Sequence, residues 1–378
     1  MFSLHVDTAR TWRGGQNQVL LTVNGLRAIG QRAAIVAHPN GELRKRVAEG
    51  LELIPIAPRT EMDLTAAWRF SRLIKRLAPD VIHAHDPHGV AMASLALSMG
   101  SASSARLPAL VASRRVDFHF KGNAFSRWKY RQVDCFIAAS EAIRQMVVAD
   151  GVSAERTVTV HEGIDVDHVA AAPAVNVHEA FWLPHGAPVV GNVAALVPHK
   201  GQRYLIEAAH LVVQQMSDAR FIILGEGELR EHLEHLVREH HLEKHVLLPG
   251  FRTDVLGCIK GLDLFVMSSV TEGLGTSLLD AMACARAIVA TRAGGIPEIV
   301  EDEVNGLLVP PRDHTALAQA IVRALKDEAL RRRMGDAGLA RVRERFTVDR
   351  MVDETAAVYA RVAGTPHAVD TAYPRAGA

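Results

Sequence analysis

The sequence predicts an α/β chain of two Rossmann-like domains, each a doubly wound parallel sheet, facing one another across a central cleft. Three observations predict it. Short apolar runs rich in Val, Ile and Leu alternate with longer helical patterns along almost the whole chain, the rhythm of strand–helix–strand units. Most of these runs lack in/out alternation, so helices must cover both faces of each sheet. The rhythm breaks between Pro173 and Pro188, around Pro184-His185-Gly186, which marks a linker between two halves. The length of 378 residues suits two or three domains at about 150 residues each.

In the first half the predicted strands are Phe2–Val6, Arg32–Ala37, Asp80–His83, Ala109–Ala112 and Cys135–Ala139. The second half offers Val189–Val193, Arg220–Leu224, Val246–Leu248, Leu264–Met267 and Ala287–Ala290. Domains are expected over residues 1–172 and 173–345. Residues 363–378, rich in Ala, Gly and Pro, are expected to be disordered.

Composition excludes several classes. Hydrophobic residues make up 48% and charged residues 22%, which is ordinary globular usage rather than that of disordered or fibrous chains. The net charge of +1 excludes a nucleic-acid binder that works through overall charge. His5, Asp7 and Arg10 stand where a leader peptide would need an apolar run. The weakly polar stretch Gly89–Gly100 is too short to span a bilayer. Cys135, Cys258 and Cys284 have neither metal-site nor disulfide-framework spacing. A cytoplasmic protein is the expectation. Charge is uneven, however: residues 1–168 carry 21 Lys and Arg against 16 Asp and Glu. The segment Ser113–Arg131 holds Arg114, Arg115, Lys121, Arg127, Lys129 and Arg131 against Asp117. Aromatic residues interleave with those cations, which suits either an anionic membrane or acidic acceptor, or aromatics packed inward beneath a solvated basic face.

Five motifs carry chemistry. Gly14-Gly15, after the first strand, lets a ligand approach the backbone at a helix N-terminus, or simply makes a tight turn. Glu272-Gly273-Leu274-Gly275-Thr276 runs from a buried strand into a helix, with free amides around Leu274–Thr276. Asp280 follows one turn later on the face of Thr276 and Ser277. Two acids flanking free amides can hold hydroxyls and a phosphate; alternatively, Glu272 complements the helix dipole. Lys200-Gly201 follows the strand Val189–Val193 and offers a point charge to a phosphate, or is a surface lysine before a helix. Gly225-Glu226-Gly227 lacks the third glycine of a dinucleotide fingerprint. His83-Ala84-His85 has ligand-like spacing, but the two-sheet pattern does not supply the further ligands of a metallohydrolase; substrate contact or loop packing suits it better. Asp165-Val166-Asp167 sits in the stretch joining the domains and is not assigned a metal. Gly294–Glu298 and Asn305–Pro310 are read as helix start and stop devices.

In order, Gly14-Gly15, Glu162-Gly163-Ile164-Asp165, Lys200-Gly201, Gly225-Glu226-Gly227 and Glu272–Ala283 resemble the retaining glycosyltransferases of family 4. Gly294–Glu298, Asn305–Val309 and Phe346-Thr347-Val348 continue the similarity, which covers roughly residues 1–362. The resemblance implies a GT-B fold in which a C-terminal helix, within 346–362, crosses back to the first domain. It implies a nucleotide-sugar donor held mainly by the second domain, a hydroxyl acceptor on the first, and no cofactor or metal. Lys200 and Gly14-Gly15 would hold the diphosphate. Glu272, beside Gly273, Leu274, Gly275 and Thr276, would contact the sugar, and Asp280 the ribose. Transfer with retention in cell-envelope polysaccharide, lipopolysaccharide or glycolipid synthesis is the implied activity, at the inner face of the membrane if the basic segment docks there.

Three departures stand out. Asp280 replaces the usual Glu, and Ala195 replaces an arginine five residues before the lysine, so Arg13 or Arg203 would have to supply that cation. Ser113-Arg114-Arg115 stands where many relatives place a histidine, which puts His85, Arg114 and Arg115 on the acceptor or sugar side and suits an acidic partner. Other readings are a nucleotide-sugar epimerase or phosphorylase on the same fold, a metallohydrolase built on His83 and His85, and a degenerate sugar-binding module.

Overall fold

The computed structural model describes residues 1–47, 50–100 and 107–364; all but the first two residues of the tail expected over 363–378 lie outside them. The first half runs β1 (Phe2–Asp7), α1 (Gly14–Ala28), β2 (Arg32–Ala37), β3 (Leu53–Pro55), α2 (Leu64–Leu77), β4 (Val81–Ala84) and α3 (Pro87–Gly100). It continues with β5 (Ala109–Arg114), α4 (Ala124–Arg131), β6 (Cys135–Ala138), α5 (Glu141–Ala149), β7 (Thr157–Thr159) and α6 (Val166–Ala171). After α7 (Val177–Ala180) the second half runs β8 (Val189–Val193), α8 (Gln202–Gln215), β9 (Arg220–Leu224), α9 (Arg230–Glu239), β10 (Val246–Gly250), α10 (Val255–Lys260) and β11 (Leu264–Met267). Then come α11 (Thr276–Ala283), β12 (Ile288–Thr291), α12 (Ile296–Ile299), β13 (Leu307–Val309), α13 (His314–Lys326), α14 (Glu328–Arg345) and α15 (Val348–Ala363).

All strands pair in parallel, as a seven-stranded sheet ordered β3-β2-β1-β4-β5-β6-β7 and a six-stranded sheet ordered β10-β9-β8-β11-β12-β13. Strand order therefore reverses direction between β1 and β4 in one sheet, and between β8 and β11 in the other. Loops leaving adjacent strands toward opposite faces part at such points, which opens a crevice at the carboxyl ends. Apart from Arg114 and Arg115, at the end of β5, the predicted site residues follow these four strands.

Three strands escape the expectation: β3, β7 and β13. Each has three residues and lies at a sheet edge, where half the backbone pairing is missing and little apolar sequence is needed. β13 corrects the reading of Asn305–Pro310 as a stop device. Asn305 does shape a turn, its side chain accepting from the Glu301 amide at 2.7 Å and donating to the Ile299 carbonyl at 3.1 Å. Leu307–Val309 then pairs with β12.

The last helix returns to the first domain. Ile164 donates to the Phe346 carbonyl at 2.8 Å, and α15 buries Met351, Val352, Ala356, Val358 and Tyr359 in a core shared with β2, β4, β5 and β6 and with Val19 and Val23 of α1. Close approach requires glycine there: a Cβ on Gly25 would lie 2.3 Å from Val352 Cγ2. A second junction joins the domains, where the Glu298 carboxylate accepts from the amides of Glu141 at 2.8 Å and Ala142 at 2.9 Å, the free N–H groups at the start of α5. His161 Nε2 lies 2.8 Å from the same carboxylate.

Candidate functional site

The second domain builds its side of the cleft from two stitched loops. After β8 the chain makes a single helical turn over Pro198–Lys200 and enters α8 through Gly201, whose φ is 64°. Only glycine fits: a Cβ there would sit 2.2 Å from the Ser268 carbonyl oxygen. The Val270 amide donates to the His199 carbonyl at 2.8 Å, and the Ser268 hydroxyl donates to the Lys200 carbonyl at 3.2 Å. Lys200 and Glu272 are thereby brought together, with Nζ 2.8 Å from Oε1 and 2.6 Å from Oε2. The Ser269 hydroxyl donates to the same carboxylate at 2.9 Å.

Glu272 is 9% exposed and Lys200 19%, so water screens the pair little. Beyond Glu272, buried Leu274 anchors the loop and Gly275 (φ 97°) starts α11 at Thr276. The first-turn amides of α11 point at the cleft, a ready anion site. Asp280 lies one turn on, its carboxylate without a hydrogen-bond partner among the described residues. Burial pushes its pKa up to about 7.

The first domain meets these groups directly. Arg13 caps α1 and Gly14 opens it, and a Cβ on Gly14 would come 2.8 Å from Thr276 Oγ1. The glycine loop thus lies against the start of α11, with Lys200 on the neighbouring loop. Gln16 braces it by donating to Asp7 Oδ2 at 3.0 Å. Burial, reinforced by Asp86, pushes the Asp7 carboxyl up to about 6.

Arg115 lies under the glycine loop. Its Cδ would be 3.8 Å from a Cβ on Gly15, and its carbonyl oxygen 2.1 Å from one on Gly273. Its Nε pairs with Glu162 Oε1 at 3.0 Å, and its NH1 donates to His85 Nδ1 at 3.0 Å. Burial pushes the Glu162 carboxyl above the usual range, and Arg115 opposes it; Glu272 and Lys200 also act on it, upward and downward respectively. Two ion pairs of opposite orientation therefore share the cleft floor.

Behind Arg115 stands a directional chain. An arginine can only donate, so His85 Nδ1 accepts and the neutral ring carries its proton on Nε2. That proton goes to His5 Nδ1, 3.0 Å away, and His5 Nε2 donates to Ser3 Oγ at 3.1 Å. His83 contacts Tyr359 Oη of α15 through Nδ1 at 2.5 Å and Ser113 Oγ through Nε2 at 2.7 Å. Burial holds all three histidines neutral, His5 with its pKa lowered to about 3.

His5, His83 and His85 offer ligand atoms within 4.8 Å of one another, so the predicted His-x-His gains a third member. Each ring nitrogen already has a partner, however, and the Arg115 guanidinium on His85 opposes a cation. The cluster reads as a hydrogen-bond chain. His5, Glu162 and Ser269 were missed as site residues; a histidine mid-way along a buried strand was the available signal for His5.

Arg114 is not brought to this group. It alternates to the other side of β5, where its guanidinium donates to the Phe118 carbonyl and lies 4.9 Å from the Phe120 ring centroid. Lys129 is also withdrawn from the surface: 2% exposed, it pairs with Glu61 at 2.8 Å and donates to the Pro87 carbonyl at 3.2 Å. Phe120 stacks on Tyr130, and Phe118 packs edge-on against His199 across the cleft. Of the six cations in the segment Ser113–Arg131, Arg114 and Lys129 are thus buried, whereas Lys121, Arg127 and Arg131 are exposed. Of the two candidates to replace the cation at Ala195, Arg203 is held by Glu207 at 2.9 Å. Arg13 is exposed, has no ion pair among the described residues, and its charge acts on His199 beside Lys200. Asp165 caps α6, accepting from the His168 amide at 2.9 Å, a structural role.

Both halves of the chain are similar to known glycosyltransferases. Residues 12–168 match the family described as Glycosyltransferase Family 4, and residues 177–341 the one described as Glycosyl transferases group 1. The chain is 28% identical over 338 residues to the "Putative glycosyltransferase EpsD" of Bacillus subtilis (strain 168), covering 85% of this chain and 87% of that one. It is 32% identical over 170 residues to the "Lipopolysaccharide core biosynthesis glycosyltransferase LpsE" of Rhizobium meliloti (strain 1021), covering 45% and 49%. Among solved structures, Anabaena Alr3699/HepE in complex with UDP-glucose superposes with a TM-score of 0.83 at 21% identity, over 96% of this chain and 100% of that one. With both halves matched in order on a two-domain GT-B architecture, the chain belongs to the family 4 glycosyltransferases.

Proposed function

We propose that this glycosyltransferase moves a sugar from a nucleoside diphosphate donor to a hydroxyl acceptor, with retention at the anomeric carbon and without a metal ion. One observation carries the reading. Lys200, the amides that start α11 and the Gly14-Gly15 opening of α1 converge where the two sheets' crevices face each other. A departing diphosphate gains negative charge, and preorganised cations and amide dipoles stabilise such charge most in a site shielded from water. They supply here the positive charge that a divalent ion supplies elsewhere.

Without ligand, Glu272 neutralises Lys200. Donor sugar hydroxyls would take the Glu272 carboxylate, leaving Lys200 for the phosphate oxygens, and Asp280 would accept from the ribose hydroxyls. Arg13 fits the second phosphate cation that Ala195 lacks. With the acceptor seated on the Arg115–His85 side, its hydroxyl attacks from the face that the diphosphate leaves, and a diphosphate oxygen takes its proton. The UDP-glucose complex of the structural neighbour makes a uridine donor the first to try, and the lipopolysaccharide relative favours an envelope polysaccharide or glycolipid acceptor.

The test is incubation with nucleotide-sugars, with and without candidate acceptors, in chelator. The reading expects acceptor-dependent release of nucleoside diphosphate that survives chelation, and a product of unchanged anomeric configuration by NMR. Activity lost in chelator and restored only by divalent cations would overturn the metal-free mechanism. Conversion of donor without acceptor would assign an epimerase instead.

A further inference from the structure

Exposed cations such as Arg127, Arg131, Arg343 and Arg345 have no ion pair among the described residues, while on other helices a basic side chain is neutralised by an acid one turn away. Arg203 pairs with Glu207, Arg230 with Glu234, Arg332 with Glu328 and Arg350 with Glu354. Helix α2 concentrates such unpaired cations. Its sequence LTAAWRFSRLIKRL contains no acid, and Arg69, Arg72, Lys75 and Arg76 are all exposed with no ion pair among the described residues. The inner face is well covered, with Ala66, Ala67, Phe70, Leu73 and Ile74 buried, so the outer face is not a misplaced core.

That outer face also carries apolar groups. Trp68 is 52% exposed, Leu64 58% and, just before the helix, Met62 62%. The Arg72 guanidinium lies 5.1 Å from the Trp68 ring centroid. Apolar groups occupy the start of the helix and cations its end.

We propose that the outer face of α2 docks on an anionic lipid bilayer, with the helix lying in the interface plane. Four unpaired cations on one face suit a polyanion. An acidic polysaccharide or nucleic acid would satisfy them but would leave Met62, Leu64 and Trp68 in water, whereas a headgroup region accepts both. Position gives the contact a use. Glu61, next to Met62, is held by Lys129, which also donates to the carbonyl of Pro87, two residues after His85. The apolar end of α2 is thus tied to the acceptor side of the cleft, and docking would present that mouth to the membrane surface. The proposal does not rest on the donor or stereochemistry assigned above.

The experiment is co-flotation of the full chain with phosphatidylcholine vesicles and with vesicles rich in phosphatidylglycerol, at low and high salt. Binding to the anionic vesicles alone, weakened by salt, is expected. At about fivefold per cation near the surface, Arg69→Ser, Arg72→Ser, Lys75→Ser and Arg76→Ser together should reduce partitioning by roughly a few hundredfold. Trp68→Ser should weaken the binding that remains at high salt. Arg332→Ser with Arg350→Ser, which removes the same kind of charge elsewhere, should change nothing, and unfolding midpoints check that each variant is folded. No binding to anionic vesicles at low salt, equal loss in the Arg332/Arg350 control, or binding to a soluble acidic polysaccharide that the vesicles cannot displace would overturn it.

Discussion

At the scale of single residues, the site is two buried ion pairs and one isolated acid, and each makes its own prediction. Lys200→Ala removes one preorganised donor to the leaving group; turnover should fall by about 2.7–4 kcal/mol of barrier, roughly a hundred- to thousandfold. Glu272 keeps the Ser269 hydrogen bond in that variant, so a folded protein by circular dichroism is expected. Arg115→Met strands Glu162 in the cleft floor. Breaking a buried pair by removing one partner costs about 3–5 kcal/mol, and the loss in denaturant stability should be partly recovered by adding Glu162→Gln.

Asp280 sets a pH dependence. Its folded pKa of about 7 lies above the ordinary value of 3.8, so between these pH values the folded state holds a proton that the unfolded chain has released. Stability contributed at low pH should therefore decline as pH rises from about 4 to 7 and then level off. Asp280→Asn should flatten that segment of the melting-temperature profile. If ribose hydroxyls bind the ionised carboxylate, nucleotide binding near neutral pH will also release a proton, visible by calorimetry in buffers of different ionisation heat.

The elements show where sequence pattern is informative. Central strands β4, β8 and β11 are mostly apolar runs, and β1, whose Ser3, His5 and Asp7 alternate with Phe2, Leu4 and Val6, is buried on both faces. The edge strands β3, β7 and β13 need only three residues each, below the length at which periodicity speaks. The loops were legible through glycine and charge, since Gly14-Gly15, Lys200-Gly201 and Glu272–Thr276 follow strands that the pattern located. Hidden partners were not: His5 meets His85 only because β1 lies beside β4, and Glu162 meets Arg115 only because β5, β6 and β7 follow one another in the sheet. In the basic segment, composition alone cannot show that Arg114 and Lys129 turn inward while Lys121, Arg127 and Arg131 stay at the surface. One element-scale prediction follows from the turn after β8. Gly201→Ala forces a Cβ into the Ser268 carbonyl at positive φ, and left-handed backbone alone costs about 1–2 kcal/mol. The displaced Lys200 should lower transfer activity more than the melting temperature.

At the scale of the molecule, the two domains meet through the Glu298 carboxylate at the start of α5 and through Gly14 against Thr276. Hydrogen bonds to a charged group contribute about 1.5–3 kcal/mol each. With two such bonds lost, about 3–6 kcal/mol, Glu298→Ala should shift the ratio of open to closed forms by roughly a hundredfold or more, read as a larger radius of gyration in X-ray scattering and a raised donor KM.

The return of α15 has a further consequence for how the protein comes into being. Met351, Val352, Ala356 and Tyr359 seal a core whose other members lie in the first domain, in α1, β2, β4, β5 and β6 among others, so the N-terminal half emerges from the ribosome with an apolar groove along α1 that nothing nearby can fill. The second half can close on itself while synthesis continues. The half made first is thus the last to be completed, and its uncovered groove is a place where a chaperone would hold the nascent chain.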